Sequence, residues 1–296
     1  MESQQHHGLR GLRQLTCTRI AKLSEQQGPF NPSKAGKWLA LRTAKINERY
    51  HDSTTVILNV ETKEQFELKV PEGFLVPTIH MYRGLEDVRL LLTSDGQLWF
   101  TASSTHASKK MQSECVVGRI DTTKKEISHI ARIDGVWIPP VKNISIFEWS
   151  NSLWLWDATS HSIYRLNKDT ITVEDTHKLS IGKSMDWGKW MRTSTSWVPI
   201  SKQEPWMVGC VVHECLFAQR QGAHDRRLSY LHYWVEADMR SGCITFLSGP
   251  FIVHHWGTEF VSSIEINIEN GDAVLFFGVE DNQALIANTT ISNLRA

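Results

Sequence analysis

A β-hairpin pattern that returns along the chain limits the available folds more than any other feature. Residues 89 to 103 read as a strand, Arg89 to Thr93, a turn, Ser94-Asp95-Gly96-Gln97, and a second strand, Leu98 to Ala102. An Asp-Gly pair between β-rich runs is a strong hairpin signal, because tight hairpin turns need residues that tolerate positive φ. Similar units lie at Ile144 to Trp156, around Ser150-Asn151-Ser152, and at Ile264 to Phe277, around Glu269-Asn270-Gly271-Asp272. They restart at roughly 55 to 60 residues or a multiple of it, the length of a four-stranded blade with its turns. Each is followed by another apolar strand: Val116 to Ile120, Ser162 to Leu166 and Ala284 to Asn288. Trp38 to Arg42 with Thr55 to Asn59, and Trp206 to Cys210 with Tyr230 to Trp234, fill the remaining places. The expectation is an all-β chain, a five-bladed β-propeller, with residues 1–296 as one domain and residues 1–25 as a partly ordered N-terminal extension. No long helical period competes with this reading. The nearest approach, Leu9 to Leu23, is short and interrupted by Thr and Cys.

The 296-residue length is compatible with one large β domain. Lysine plus arginine total 32 and aspartate plus glutamate total 32, so the chain as a whole has no electrostatic reason to seek nucleic acid or anionic lipid. Its five cysteines, Cys17, Cys115, Cys210, Cys215 and Cys243, are odd in number and scattered, which favours a reducing compartment. The polar start, Met1 to His7, lacks the apolar core of a signal peptide, and no later run is apolar enough to span a bilayer. A cytoplasmic protein without a membrane partner is expected. The 12 tryptophans stand out, since indole suits both β-cores and stacking on sugars.

Four segments, taken in order, carry a family resemblance. They are Phe30-Asn31-Pro32-Ser33 with Leu39-Ala40-Leu41-Arg42; Gly84-Leu85-Glu86-Asp87-Val88-Arg89-Leu90; Ser196-Trp197-Val198-Pro199-Ile200; and Gly257-Thr258-Glu259-Phe260-Val261 with Leu275 to Ala284. Together they resemble the superfamily of five-bladed propellers that includes β-mannoside phosphorylases, related glycoside hydrolases and glycosyltransferase-like propellers of bacteria and viruses. The second segment is similar to the family's Glu-Asp-Pro-Arg or Glu-Asp-Cys-Arg signature, with Val88 at the variable position. The third departs from the family's Lys-Asn-Trp-x-Pro-Phe, because Thr195-Ser196 replaces Lys-Asn.

The resemblance implies a carbohydrate-active enzyme that transfers a glycosyl group in the central cavity, with glycosyl transfer favoured over phosphorolysis or hydrolysis. Asp87 takes the role of the family's general acid, acting as acid or base. Arg89, two residues on and so on the same strand face as Asp87, and Arg42 are candidate clamps for an anion or hydroxyls. Trp197 is a candidate stacking platform, as are Trp187 and Trp190, and Glu259 and Asp281 are candidates for a second acid, a base or hydroxyl recognition. Glu86, pointing the other way, is read as structural. Lys189 and Arg192 are the cations nearest in sequence to the missing lysine. A structural ion pair between Asp87 and Arg89 is an equally open reading of those two residues. Implied partners are a sugar donor, either nucleotide-sugar or sugar-phosphate, and a glycan or glycoside acceptor. No cofactor or metal is expected: Cys210, His213 and Cys215 lack a second ligand pair, and no phosphate loop, dinucleotide fingerprint or serine-hydrolase elbow is present. A non-catalytic glycan-binding propeller and a protein-interaction propeller are the alternatives, since a fold does not choose its function.

Overall fold

The computed structural model describes residues 16–19, 29–46, 51–74, 82–105, 113–133, 142–182, 185–188, 191–219, 226–254, 257–280 and 283–296. Asp281, Lys189 and Trp190 lie outside them. The described strands form five sheets of mostly antiparallel strands, the blades of a β-propeller. The first strand in the chain, β1 (Thr16–Arg19), belongs to the last blade, so this part of the N-terminal stretch is built into the propeller. It also replaces the weak helical pattern there with a strand, because Gln283–Thr290 of the last blade offers a free edge to pair.

The first blade contains β2 (Phe30–Ala35), β3 (Trp38–Ile46), β4 (His51–Asn59) and β5 (Gln65–Glu67), with β6 (Tyr82–Arg83) running parallel to β4. The second contains β7 (Glu86–Leu92), β8 (Leu98–Thr105), β9 (Ser113–Asp121) and β10 (Glu126–Ile133); the third, β11 (Ser145–Trp149), β12 (Ser152–Asp157), β13 (Ser162–Leu166) and β14 (Val173–Lys178). In the fourth, β15 (Ser180–Ile181) edges the sheet, β16 (Met191–Thr193) and β17 (Val198–Pro199) share the inner position, and β18 (Met207–Gln219), β19 (Arg226–Asp238) and β20 (Cys243–Leu247) lie between. The fifth has β21 (Glu259–Asn267), β22 (Asp272–Val279) and β23 (Gln283–Thr290), closed by β1. The expected hairpins are therefore β7–β8, β11–β12 and β21–β22. Positive φ falls at Gly96, at Ser150 and Asn151, and at Gly271, the turn residues the sequence supplies for that purpose.

Five apolar clusters hold the blades together, one for each neighbouring pair. Trp38, Ile57, Leu90 and Phe100 pack between the first and second blades. Trp99, Val117, Ile146 and Leu155 join the second and third, and Trp156, Trp197, Val212 and Val235 the third and fourth. Val211, Trp234, Leu275 and Phe277 join the fourth and fifth, and Leu39, Leu41 and Phe276 close the ring. Strand alternation explains this: β18 sends Val212 toward one neighbour and Val211 toward the other.

After β23 the chain turns into α1 (Ile291–Arg295), capped by the Thr290 hydroxyl, which accepts from the Asn293 amide at 3.1 Å. Ile291 and Leu294 are buried beneath it. Arg295 reaches back to the fourth blade and donates from Nε and Nη2 to the two oxygens of Glu236 at 2.6 and 3.0 Å, while Trp234 Nε1 donates to the same carboxylate at 2.7 Å. Among the described residues, no helix is long and apolar enough to cross a membrane.

Replacing Arg295 with Met leaves the buried Glu236 with the indole as its remaining donor from this group. A loss of about 1–2 kcal/mol is expected, since the arginine itself is half exposed. A fall in the urea midpoint at an unchanged denaturant slope is the measurement that checks it.

Candidate functional site

The inner strands begin at one end of the central channel, and there the first two repeat the same irregularity. Phe30 pairs with Arg42 and Ser33 with Ala40, so Asn31 and Pro32 together oppose Leu41. Glu86 pairs with Ser103 and Arg89 with Thr101, so Asp87 and Val88 oppose Ala102. Each is a bulge, which re-aims the side chains around it. Asn31 and Asp87 take φ of 49° and 54°, and Asn143, at the matching place ahead of β11, takes 66°. Asn and Asp enter this left-handed region more readily than other side chains. Two glycines make room. A Cβ on Gly84, at φ 95°, would collide with the Ser53 carbonyl, and one on Gly278 would collide with Asn31.

Asp87 is the centre of the resulting cluster. Asn31 Nδ2 donates to its Oδ1 at 2.7 Å, and Arg42 Nη1 donates to the same oxygen at 2.9 Å. Oδ2 has no partner among the described residues, and the side chain stays 17% exposed. Arg42 is fixed in turn: its Nε donates to Ser53 Oγ at 2.9 Å, its Nη2 lies 3.6 Å from Glu86, and its guanidinium lies over Phe30. Lys142 Nζ sits 3.3 Å from the other Glu86 oxygen. Burial pushes the Asp87 carboxyl up, but the charges of Arg42 and Lys142, the Asn31 amide and the charge of Arg89 outweigh it and hold the group below the usual carboxylate range. Asp87 is therefore ionised at neutral pH.

Arg89 is near Asp87 but aimed elsewhere. The bulge interrupts the alternation that would have put the two on one face, and Arg89 crosses the ring instead. Nη1 donates to the Ile144 carbonyl at 3.0 Å, and Nη2 to the Thr193 carbonyl at 3.1 Å and to Asn143 Oδ1 at 3.2 Å. Its guanidinium lies over Phe260, and only 2% of the residue is exposed. Burial pulls the group down to about 10 against the raising effect of Asp87, which still leaves it cationic at neutral pH.

The other candidates have partners of their own. Glu259 is fully buried and accepts from the backbone amides of Val253 and His254 at 2.9 and 2.8 Å, organising that loop. Trp197 packs on Trp156 with ring centroids 5.2 Å apart and lines a cavity of about 700 Å³ at the opposite end of the channel, beside Leu90, Leu92 and Ile264. Thr195 Oγ1 accepts from the Val211 amide, and Ser196 Oγ donates to the Ile146 carbonyl, so the pair standing in for the family's Lys-Asn serves blade packing. Trp187 meets Trp156 and His161 edge-on. Arg192 pairs in register with His213.

Sequence reasoning missed Lys142 and the His213–His232 pair. A signal for Lys142 existed: Glu86 and Lys142 are 56 residues apart, the same interval as Asn31 and Asp87, so one repeat period aligns both rows. His213 and His232 face each other across β18 and β19, both buried. Ser194 Oγ bonds His213 Nδ1 at 2.7 Å, while His213 Nε2 and both His232 nitrogens make no hydrogen bond of normal geometry among the described residues. Burial pulls His213 well below its ordinary value, helped by His232, Arg89 and Arg192, and pulls His232 down to about 3. No group of three or more metal-ligating side chains occurs among the described residues.

No family model matches the chain, and no curated protein matches it. Solved structures do. A mannose phosphorylase from Leishmania mexicana superposes with a TM-score of 0.58 at 14% identity, over 89% of this chain and 84% of that one. A GDP-Man-dependent mannosyltransferase from the same organism gives 0.58 at 12% identity over 88% and 84%. A β-1,2-mannobiose phosphorylase from Listeria innocua gives 0.55 at 14% identity over 93% and 94%. At these identities the likeness establishes the shared five-bladed fold.

Two outcomes follow from the buried groups. Arg89→Met removes donors from carbonyls on two blades and should cost about 3–5 kcal/mol, with Arg89→Lys recovering only part because one ammonium cannot reproduce the fork. Both are read by urea denaturation. The two histidines are neutral when folded and titrate near 6.5 when unfolded, so their stabilising contribution is complete above pH 6.5 and declines below it. For His232 the decline amounts to about 1.4 kcal/mol per pH unit down to its folded value. His232→Phe should flatten the pH dependence of the midpoint between pH 6.5 and 4.5, and an unchanged slope would show that the protons are taken up elsewhere.

Proposed function

We propose that this chain transfers a glycosyl group at the Asp87 end of the channel, with Asp87 as the base that deprotonates the acceptor hydroxyl. The observation that carries this reading is the state of one carboxylate. Oδ1 is held by Arg42 and Asn31, Oδ2 has no protein partner among the described residues, and the cations around it keep the group ionised. A hydroxyl bound against Oδ2 would give its proton there while its oxygen attacks the anomeric carbon. The bond to the leaving group breaks as the new glycosidic bond forms. Hydrolysis of a neutral glycoside asks for the opposite, a carboxylic acid protonated at rest to supply the leaving oxygen. This environment disfavours that state.

The shared fold lends support, since proteins bearing it are named for mannoside phosphorolysis and for mannosyl transfer from GDP-Man. Phosphorolysis is the same step in reverse and, like hydrolysis, starts from a protonated Asp87, so the ionised carboxylate favours the transfer direction. A second reading, glycan binding without turnover, is favoured by one feature: Thr195 and Ser196 occupy the place of a cation and are used in packing.

The test is a screen of nucleotide-sugars and sugar 1-phosphates with simple sugar acceptors. Asp87→Asn, which keeps the shape and loses the base, should lower kcat by about 10²–10⁴-fold with little change in KM. Failure of the native chain to consume any donor, or full activity of Asp87→Asn, would overturn the assignment. Sugar binding without turnover, surviving in Asp87→Asn, would select the second reading.

A further inference from the structure

The end of the channel away from Asp87 carries an apolar surface that glycosyl transfer does not use. Arg89 crosses the ring between the two ends, held by carbonyls of the third and fourth blades. Beyond it lies the cavity of about 700 Å³, with a buried floor of Leu90, Trp197 and Ile264. Its rim holds Leu92 and Ile268, 38% and 39% exposed, the two exposed large apolar side chains among the described residues. Unburied apolar side chains gathered on one rim mark a face that another surface covers. The charges around that rim say which surface fits. The inner hairpin turns surround the cavity, and the first blade presents Lys37 there, exposed and with no ion pair among the described residues. The second blade presents Asp95, the third the neutral Ser150 and Asn151, the fourth Lys202 and Glu204 with opposite signs, and the fifth Glu269 and Asp272. Lys34 and Glu265, on the walls of the first and fifth blades, neutralise each other within the chain.

We propose that this face joins two copies of the chain, about a two-fold axis that lies in the face and runs through the seam between the first and fifth blades. A two-fold of this kind turns one ring over onto the other, so it exchanges blades in pairs and leaves one blade against its own counterpart. Here the first blade meets the fifth, the second meets the fourth, and the third meets itself. Lys37 of each copy then faces Glu269 and Asp272 of the other, Leu92 faces the Val198 and Pro199 wall of the cavity, and Ile268 faces Gly36. The neutral turn of the third blade is the one set against itself. With five blades the ring can be turned over in four other such ways, and each either brings like charges together or opposes fewer unlike ones. The chain carries 32 cationic and 32 acidic side chains, so no net repulsion keeps two copies apart.

Sedimentation velocity over a range of concentrations reads the state of the native chain, which should sediment as a dimer and dissociate on dilution. Leu92→Glu and Ile268→Glu alter side chains already in contact with water, and each should raise the dimer dissociation constant at least tenfold. Circular dichroism, taken at a dilution where the native chain is monomeric, guards against a folding defect in either variant. Lys37→Glu and Asp272→Lys should each weaken the dimer several-fold, more at low salt than at high, and the two together should restore it. A native chain that stays monomeric up to its solubility limit would overturn the proposal. If that monomer binds anilinonaphthalene sulfonate and Leu92→Glu abolishes the binding, the cavity takes a small apolar ligand in place of a second copy. A dimer that survives both Leu92→Glu and Ile268→Glu would place the contact on another face and overturn the proposal equally. A charge-swapped double variant no tighter than its single parents would overturn the two-fold arrangement.

Discussion

Arg89 is the contact on which the centre of the propeller depends. It leaves the second blade, gives its Nη hydrogens to carbonyls of the third and fourth, and rests its guanidinium on Phe260 of the fifth. The Ile144 carbonyl is held twice, since Thr101 Oγ1 also donates to it. The first blade joins through Ser33, whose hydroxyl accepts from the Leu90 amide beside Arg89. A charge this deeply buried is tolerated because backbone dipoles replace water around it, and removing it would leave those dipoles facing an apolar interior. Apolar clusters between blades supply most of the adhesion, but they are not directional. The arginine's planar fork sets how the inner strands stand relative to one another.

That fixed spacing turns a repeated backbone irregularity into a site. Asn31, Asp87 and Asn143 occupy the same place ahead of or within their inner strands, all with left-handed backbone, so successive blades present a short polar side chain in succession around the channel. One of the three carries a charge, and its neighbours on both sides are built to keep that charge: Asn31 and Arg42 from the first blade, Lys142 from the third. A carboxylate held in this way stays ionised at neutral pH.

Much of this was legible in the chain itself. The turn residues at Gly96, Asn151 and Gly271 marked the hairpins because few side chains accept their backbone angles. Asp87 and Arg42 were found through the motifs that carry them, and they meet in the structure. The i, i+2 rule failed for Asp87 and Arg89 because a bulge lies between Glu86 and Arg89, and an inserted residue reverses which way the side chains behind it point. That Trp197 packs on Trp156 and Glu259 holds loop amides was not legible, because an indole and a carboxylate serve cores and loop amides as readily as sugars.

The strands, their turns, the number of blades and the carboxylate at the channel mouth follow from the chain, since each depends on local backbone preference or on a short motif. Which cation serves which carboxylate is a matter of tertiary packing. Lys142 reaches Glu86 across an interval of 56 residues, and Arg89 passes over the adjacent Asp87 to grip carbonyls up to 104 residues away. Pairing at those separations is set by how blades close into a ring, a long-range geometry that no local pattern of residues records.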